Sequence, residues 1–300
     1  MGIYVGSSRP DRDGAPNKWT VLYSPNGTPP TDTPLDPNYL PSSLINSITD
    51  PLVIVVHGYN NREQDAFDAY AGVAGVLPKH ASLTKYGFSG TVIGYDWPTN
   101  YANTINLNVL LKVYAHDLDQ AKTNGSPSFS LFLDRLTNAL SGKSIRVTVM
   151  AHSMGNFVVT RALMANSSLA SRITNLVSFA PDILQTDVEH PQMQPVIQNL
   201  MGQWYIYWAQ ADMILMTASN WANILLGTET YGQERLGQVG LRPNVTYSKK
   251  IVAVQTDEML SEVGATSYDD TLNRWRSSML VHCAYWRSPE FLQGVADNVT

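Results

Sequence analysis

This 300-residue sequence predicts an α/β fold with a mostly parallel central sheet and helices on both faces. Three observations predict it. First, short apolar, β-branched runs alternate with helix-period stretches, the order of right-handed strand–helix–strand crossovers. Second, Leu52–Val56 (LVIVV) is apolar at every position, as a strand covered on both faces must be. Third, Ile145–Gly155 (IRVTVMAHSMG) runs from a strand pattern through small residues into a helical one. Gly155, Val158, Val159 and Ala162 there share one helix face.

Taken in order, Ile3–Val5 and Trp19–Tyr23 read as short strands. Pro25 to Pro41 holds too many prolines for helix or central strand and reads as a surface loop. Leu52–Val56 ends in His57-Gly58-Tyr59-Asn60-Asn61. Asn61 reads as the N-cap of a helix from Arg62 to about Leu77, with Gln64 completing a capping box. Thr91–Tyr95 is a strand closing in Asp96-Trp97-Pro98. Helical stretches follow at about Asn103–Lys122 and Ser128–Leu140. After the Ile145–Ala151 strand and its helix, Ile173–Phe179 is a strand ending at Ala180-Pro181-Asp182. His190–Met201 reads as helix, and Trp204–Trp208 as an aromatic strand leading to Asp212. Met213–Leu226 is apolar and helical, Thr228–Ser248 Gly-rich and irregular, and Lys250–Gln255 the last strand. A final helix starts at Pro289. No repeat or dividing linker appears, so residues 1–300 read as one domain. Residues 1–50 supply the N-terminal strands and Pro-rich loop, and residues 184–202 and 213–248 are candidate cap segments.

Composition narrows the function. A net charge of −5 speaks against nucleic-acid binding, which needs a basic face. No apolar run approaches the roughly 18 residues of a membrane span. The N-terminus lacks the basic and apolar regions of a signal peptide, so a cytoplasmic location is the default expectation. The single cysteine, Cys283, permits no internal disulfide and reads as buried packing. No cluster has metal-ligand spacing and no Gly-rich phosphate loop is present, so no metal or cofactor is implied.

The strand-to-helix bend at Ala151-His152-Ser153-Met154-Gly155 is the chemical centre of the chain. A serine on so tight a bend projects its Oγ clear of the sheet, and bulky neighbours two residues away would collide across it. The following helix aims its first N–H groups at the same place. This is the logic of G-x-S-x-G, with Ala151 in place of the first glycine. The plain alternative is a serine N-cap.

In open parallel sheets functional groups gather at the carboxyl ends of the strands. Those ends carry His57-Gly58-Tyr59, Ser153, Asp182 and Asp212, with His282 beyond the last strand. A serine nucleophile needs an imidazole to take its proton. His282 is the candidate base and His190 its competitor. His57 and His152 lie within motifs, and His80 and His116 precede the bend. Asp212 is the candidate to orient His282. Asp182 is the alternative acid, or a turn residue after Pro181. The backbone N–H groups of Met154 and Tyr59 are candidates for an oxyanion hole, with Gly58 allowing close approach. Trp97, Trp204, Trp208, Trp221, Met213 and Met216 are either acyl-pocket lining or plain core.

VVHGYNN (Val55–Asn61), YDWP (Tyr95–Pro98), AHSMGN (Ala151–Asn156), FAPDI (Phe179–Ile183), YWAQADMIL (Tyr207–Leu215), ERLGQVG (Glu234–Gly240) and VHCAYW (Val281–Trp286) together resemble the α/β-hydrolases. The resemblance is closest to the bacterial branch described as alpha/beta hydrolase of unknown function. It covers roughly residues 50–290; the first 50 residues have no such match. The chain order Ser…Asp…His is that of this fold. The resemblance implies a serine hydrolase fold but no particular substrate. The expected activity is cleavage of a small-molecule carboxylic ester through an acyl-enzyme on Ser153, Asp212 and His282. Amide or thioester cleavage by the same groups, or a non-catalytic binding protein, are the alternatives.

Overall fold

The computed structural model describes residues 2–9, 18–30, 38–59, 61–77, 82–101, 107–212, 214–215, 234–261 and 281–299. Among these, eight strands form one sheet: β1 (Ile3–Ser7), β2 (Thr20–Ser24), β3 (Leu52–Val56), β4 (Thr91–Asp96), β5 (Val147–His152), β6 (Asn175–Phe179), β7 (Trp204–Trp208) and β8 (Ile251–Gln255). Their order is β2-β1-β4-β3-β5-β6-β7-β8. Every pairing is parallel except β1 with β2, which is antiparallel. This is the α/β-hydrolase architecture that the alternating pattern predicts.

Side chains alternate across the sheet as a period of two requires. Leu52, Ile54 and Val56 join one apolar layer with Leu44 of α1 (Ser42–Ser47), Phe129 and Leu133 of α4 (Ser126–Ala139), Val158 of α5 (Gly155–Ala165) and Val196 of α6 (Met193–Asn199). Val53 and Val55 join the opposite layer with Phe67 and Tyr70 of α2 (Glu63–Val73) and Phe291 and Val295 of α7 (Pro289–Val299). Both faces are therefore closed, which is why β3 is apolar throughout.

Register decides where the site lies. Val56 stands beside Ala151 on one side and Tyr95 on the other, His152 beside Phe179, and Phe179 beside Tyr207. The strands end level, so the residues that follow them emerge along one edge.

Some helix ends differ from expectation. Asn61 does not cap α2: its amide donates to the Gly58 and Tyr59 carbonyls, and Asp65 accepts the Arg62 N–H instead. The helix stops at Val73, where Gly75 (φ +76) lets the following N–H groups turn back onto Tyr70, Ala71 and Gly72. The two helical stretches expected between β4 and β5 are one: α3 (Leu107–Gln120) runs through a π-turn at Ala121–Gly125 into α4. Pro127 lacks an N–H and its ring crowds the preceding turn, and a widened turn accommodates both. Residues 184–202 pack through Val188, Met193, Val196 and Ile197 into the α5 layer. Residues 213 and 216–233 of the other candidate cap segment lie outside the described residues, as do Met213, Met216 and Trp221. The short helix Leu236–Val239 within that segment lies beside β7.

Candidate active site

The bend between β5 and α5 holds Ser153 at φ +51, a left-handed conformation that few side chains adopt. Four hydrogen bonds keep it there. Ser153 N–H donates to the Phe179 carbonyl at 3.2 Å. Its own carbonyl accepts the Asn156 and Asp182 N–H groups at 3.0 and 3.1 Å and the Asn156 side-chain amide at 3.2 Å. Strain of this kind persists only where surroundings over-determine it. The flanking small residues have steric reasons. A Cβ at Gly155 would lie 2.4 Å from the His57 carbonyl oxygen, and one at Gly58 would lie 2.8 Å from the Ser153 Cβ.

The structure brings Ser153, His282 and Asp212 together. His282 Nε2 lies 2.9 Å from Ser153 Oγ, and His282 Nδ1 lies 2.7 Å from Asp212 Oδ2. All three are buried. An ionised carboxylate only accepts, so the proton of a neutral His282 sits on Nδ1. Nε2 then presents its lone pair to the serine hydroxyl. Burial pulls the imidazole pKa down, but the charge and hydrogen bond of Asp212 more than reverse this and leave it above its ordinary 6.5. Asp212 is itself fixed by accepting the Leu215 N–H on Oδ1 at 3.2 Å.

The competing candidates lie elsewhere. His190 is exposed, and its Nδ1 accepts the Gln192 N–H. His80 is outside the described residues. Asp182 is a buried ion-pair member rather than a plain turn residue. It accepts the Tyr114 hydroxyl at 3.0 Å and faces Arg235 Nε at 3.4 Å. Cys283 is exposed, against the expectation of burial, because the helix turn that sends His282 inward sends its neighbour outward. Trp97 and Trp204 are core: Trp97 stacks on His57, and Trp204 donates to Ser178 Oγ.

Met154 follows Ser153 directly, and Tyr59 follows Gly58, whose position faces the Ser153 Cβ. Among the described residues neither N–H donates to an acceptor. Met154 is fully buried, and buried N–H groups are nearly always paired. A buried, unpaired N–H on the residue after Ser153 suits an oxygen carried by a ligand.

Two residues of the site escaped the sequence reading. His152 Nε2 donates to the His282 carbonyl at 2.8 Å, tying the base's backbone to the strand that carries the serine. Burial, with the nearby His282 charge, drives the His152 pKa well below 6.5 and keeps the ring neutral. Asn156 braces the bend by donating to the Ala151 and Ser153 carbonyls. Both sit within AHSMGN, but a side chain that serves backbone carbonyls leaves no spacing signature. The described residues include no cluster of three or more His, Cys, Asp or Glu arranged to hold a metal ion. Nor does any of their helices have the length and apolarity to cross a membrane.

The sheet order and the bend at Ser153 define an α/β-hydrolase. More narrowly, residues 38–296 match the family described as "Alpha/beta hydrolase of unknown function (DUF900)", and the chain belongs to that family. No curated protein matches the sequence. Among solved structures, a dienelactone hydrolase-like promiscuous phosphotriesterase from metagenomic libraries is similar at 10% identity and TM-score 0.36, over 100% of this chain and 98% of that one. A Rhizomucor miehei esterase is similar at 10% identity and TM-score 0.38, over 100% and 86%. Aspergillus fumigatus lipase B is similar at 12% identity and TM-score 0.39, over 83% of this chain and 61% of its own length. Likenesses at these scores carry no argument about activity.

Proposed function

We propose that this member of the α/β-hydrolase superfamily is a serine hydrolase that cleaves small-molecule carboxylic esters through an acyl-enzyme. The observation that carries the reading is the single imidazole of His282, within 2.9 Å of Ser153 Oγ and 2.7 Å of Asp212. Ser153 Oγ attacks the ester carbonyl while His282 Nε2 takes its proton. Asp212 stabilises the imidazolium that forms. The carbonyl oxygen, now negative, accepts the N–H groups of Met154 and Tyr59. His282 then protonates the departing alcohol, leaving Ser153 acylated. Water then adds to the acyl carbon as it gives a proton to His282; the bond to Ser153 Oγ breaks, His282 returns that proton to Oγ, and the acid leaves.

Thioesters and amides are the nearest alternative substrates, since only the leaving group and pocket shape differ. A panel of p-nitrophenyl esters of increasing acyl length, with the matching thioesters and anilides, separates them. The expected result is hydrolysis of esters by the wild type, reduced about 10⁴-fold or more in both Ser153→Ala and His282→Gln. Turnover surviving in Ser153→Ala would overturn the reading.

A further inference from the structure

β1 precedes the residues matched by the family and carries no sequence motif, yet it runs parallel to β4 and ends at the same edge as the site. Arg9, just beyond the strand, reaches Asn61 at the far end of the loop that follows β3. Arg9 is buried, and its guanidinium holds two segments at once. Nε donates to Asp96 Oδ2 at 2.7 Å, and Nη1 to the Thr99 carbonyl at 3.1 Å. Nη2 donates to the Asn61 carbonyl at 3.3 Å and to Thr99 Oγ1 at 3.4 Å. Thr99 Oγ1 also donates to the Asn61 carbonyl at 2.8 Å.

Asn61 passes the constraint on. Its side-chain amide donates to the carbonyls of Gly58 and Tyr59, both at 3.0 Å. Trp97 secures the other end of the loop: its backbone N–H donates to His57 Nε2 at 3.2 Å and its indole N–H to the His57 carbonyl at 2.8 Å. The loop is thus held at its Asn61 end by Arg9 and Thr99 and at its His57 end by Trp97, and Tyr59 lies between them.

We propose that Arg9 is a positioning residue for the oxyanion hole: through Asn61 it sets the curve of the loop that aims the Tyr59 N–H. The inference rests on the reading of Ser153 as nucleophile and Tyr59 as donor. Burial opposes ionisation of Asp96, but the Arg9 charge beside it more than reverses this and holds the carboxyl at about 2. The anchor is therefore charged throughout the working range. The planar guanidinium fork matters, because an ammonium cannot hold Asp96, Thr99 and Asn61 together.

The test uses the full chain. Active sites are titrated with a fluorophosphonate, and kcat per titrated site, KM for p-nitrophenyl butyrate and Ki for an alkyl trifluoromethyl ketone are measured. The ketone adds to the serine and places an oxyanion in the hole. Arg9→Lys keeps the charge beside Asp96. Arg9→Met/Asp96→Asn removes both charges together, so no buried carboxylate is left unpaired. In each, kcat per site is expected to fall about tenfold with KM within about twofold. Ki for the ketone should rise by the factor that kcat/KM falls. Unchanged kcat per site and Ki, or a loss confined to the number of titratable sites, overturns the role of Arg9 alone. A wild type that does not titrate overturns the Ser153 reading and this proposal with it.

Discussion

A serine hydroxyl does not ionise near neutral pH, so the proposed mechanism requires His282 Nε2 to be free of a proton when Ser153 attacks. Asp212 raises the imidazole pKa above 6.5, so kcat/KM is expected to rise with pH through a midpoint above 6.5. In Asp212→Asn burial acts without the opposing charge. The midpoint should move down and kcat should drop about 10⁴-fold. A pH–rate profile of both proteins checks this. Stability has the opposite sign. A raised folded pKa means His282 contributes fully below 6.5 and loses that contribution as pH rises through the folded value. The gathering of Ser153, Asp212 and His282 was legible because Ser153 and Asp212 follow strand ends and His282 lies beyond the last strand, in an order that this fold uses. His152, Asn156 and Arg9 were not. They act by donating to backbone carbonyls, and such a role is visible only when the carbonyl's position is known.

The bend itself works by absence of side-chain volume. Gly155→Ala would drive a Cβ into the His57 backbone oxygen, which cannot swing aside. The expected cost is about 1–3 kcal/mol, read as a lowered Tm and urea midpoint. Gly58→Ala meets the Ser153 Cβ instead, so its main effect should be on turnover, about 10²-fold in kcat with a smaller change in Tm. Strands were the most legible elements, since an apolar run like Leu52–Val56 has few other uses. Helix ends were less so. Asn61 has the composition of a cap but spends its amide on the loop before α2. The π-turn at Ala121–Gly125 merges two stretches that their composition divides.

Across the whole molecule, the level strand ends bring segments far apart in sequence to one edge. Period and composition predicted the strands and the closed faces. They did not predict that β1 would pair with β4 while β2 forms the antiparallel edge, because partner choice depends on tertiary packing rather than local pattern. The Arg9–Asp96 pair ties that N-terminal addition to the sheet centre. Asp96 is held at about 2 against an ordinary 3.8, so its contribution is present above 3.8 and lost as pH falls through about 2. Urea midpoints at about pH 5 and about pH 2.5 should therefore differ less in Arg9→Met/Asp96→Asn than in the wild type. The central claim is that Ser153 becomes a nucleophile because His282 and Asp212 reach it. Peptide mass spectrometry of the fluorophosphonate-treated protein tests this most directly. A single adduct on Ser153, lost in His282→Gln, is the predicted result; an adduct on another residue, or none at all, would contradict it.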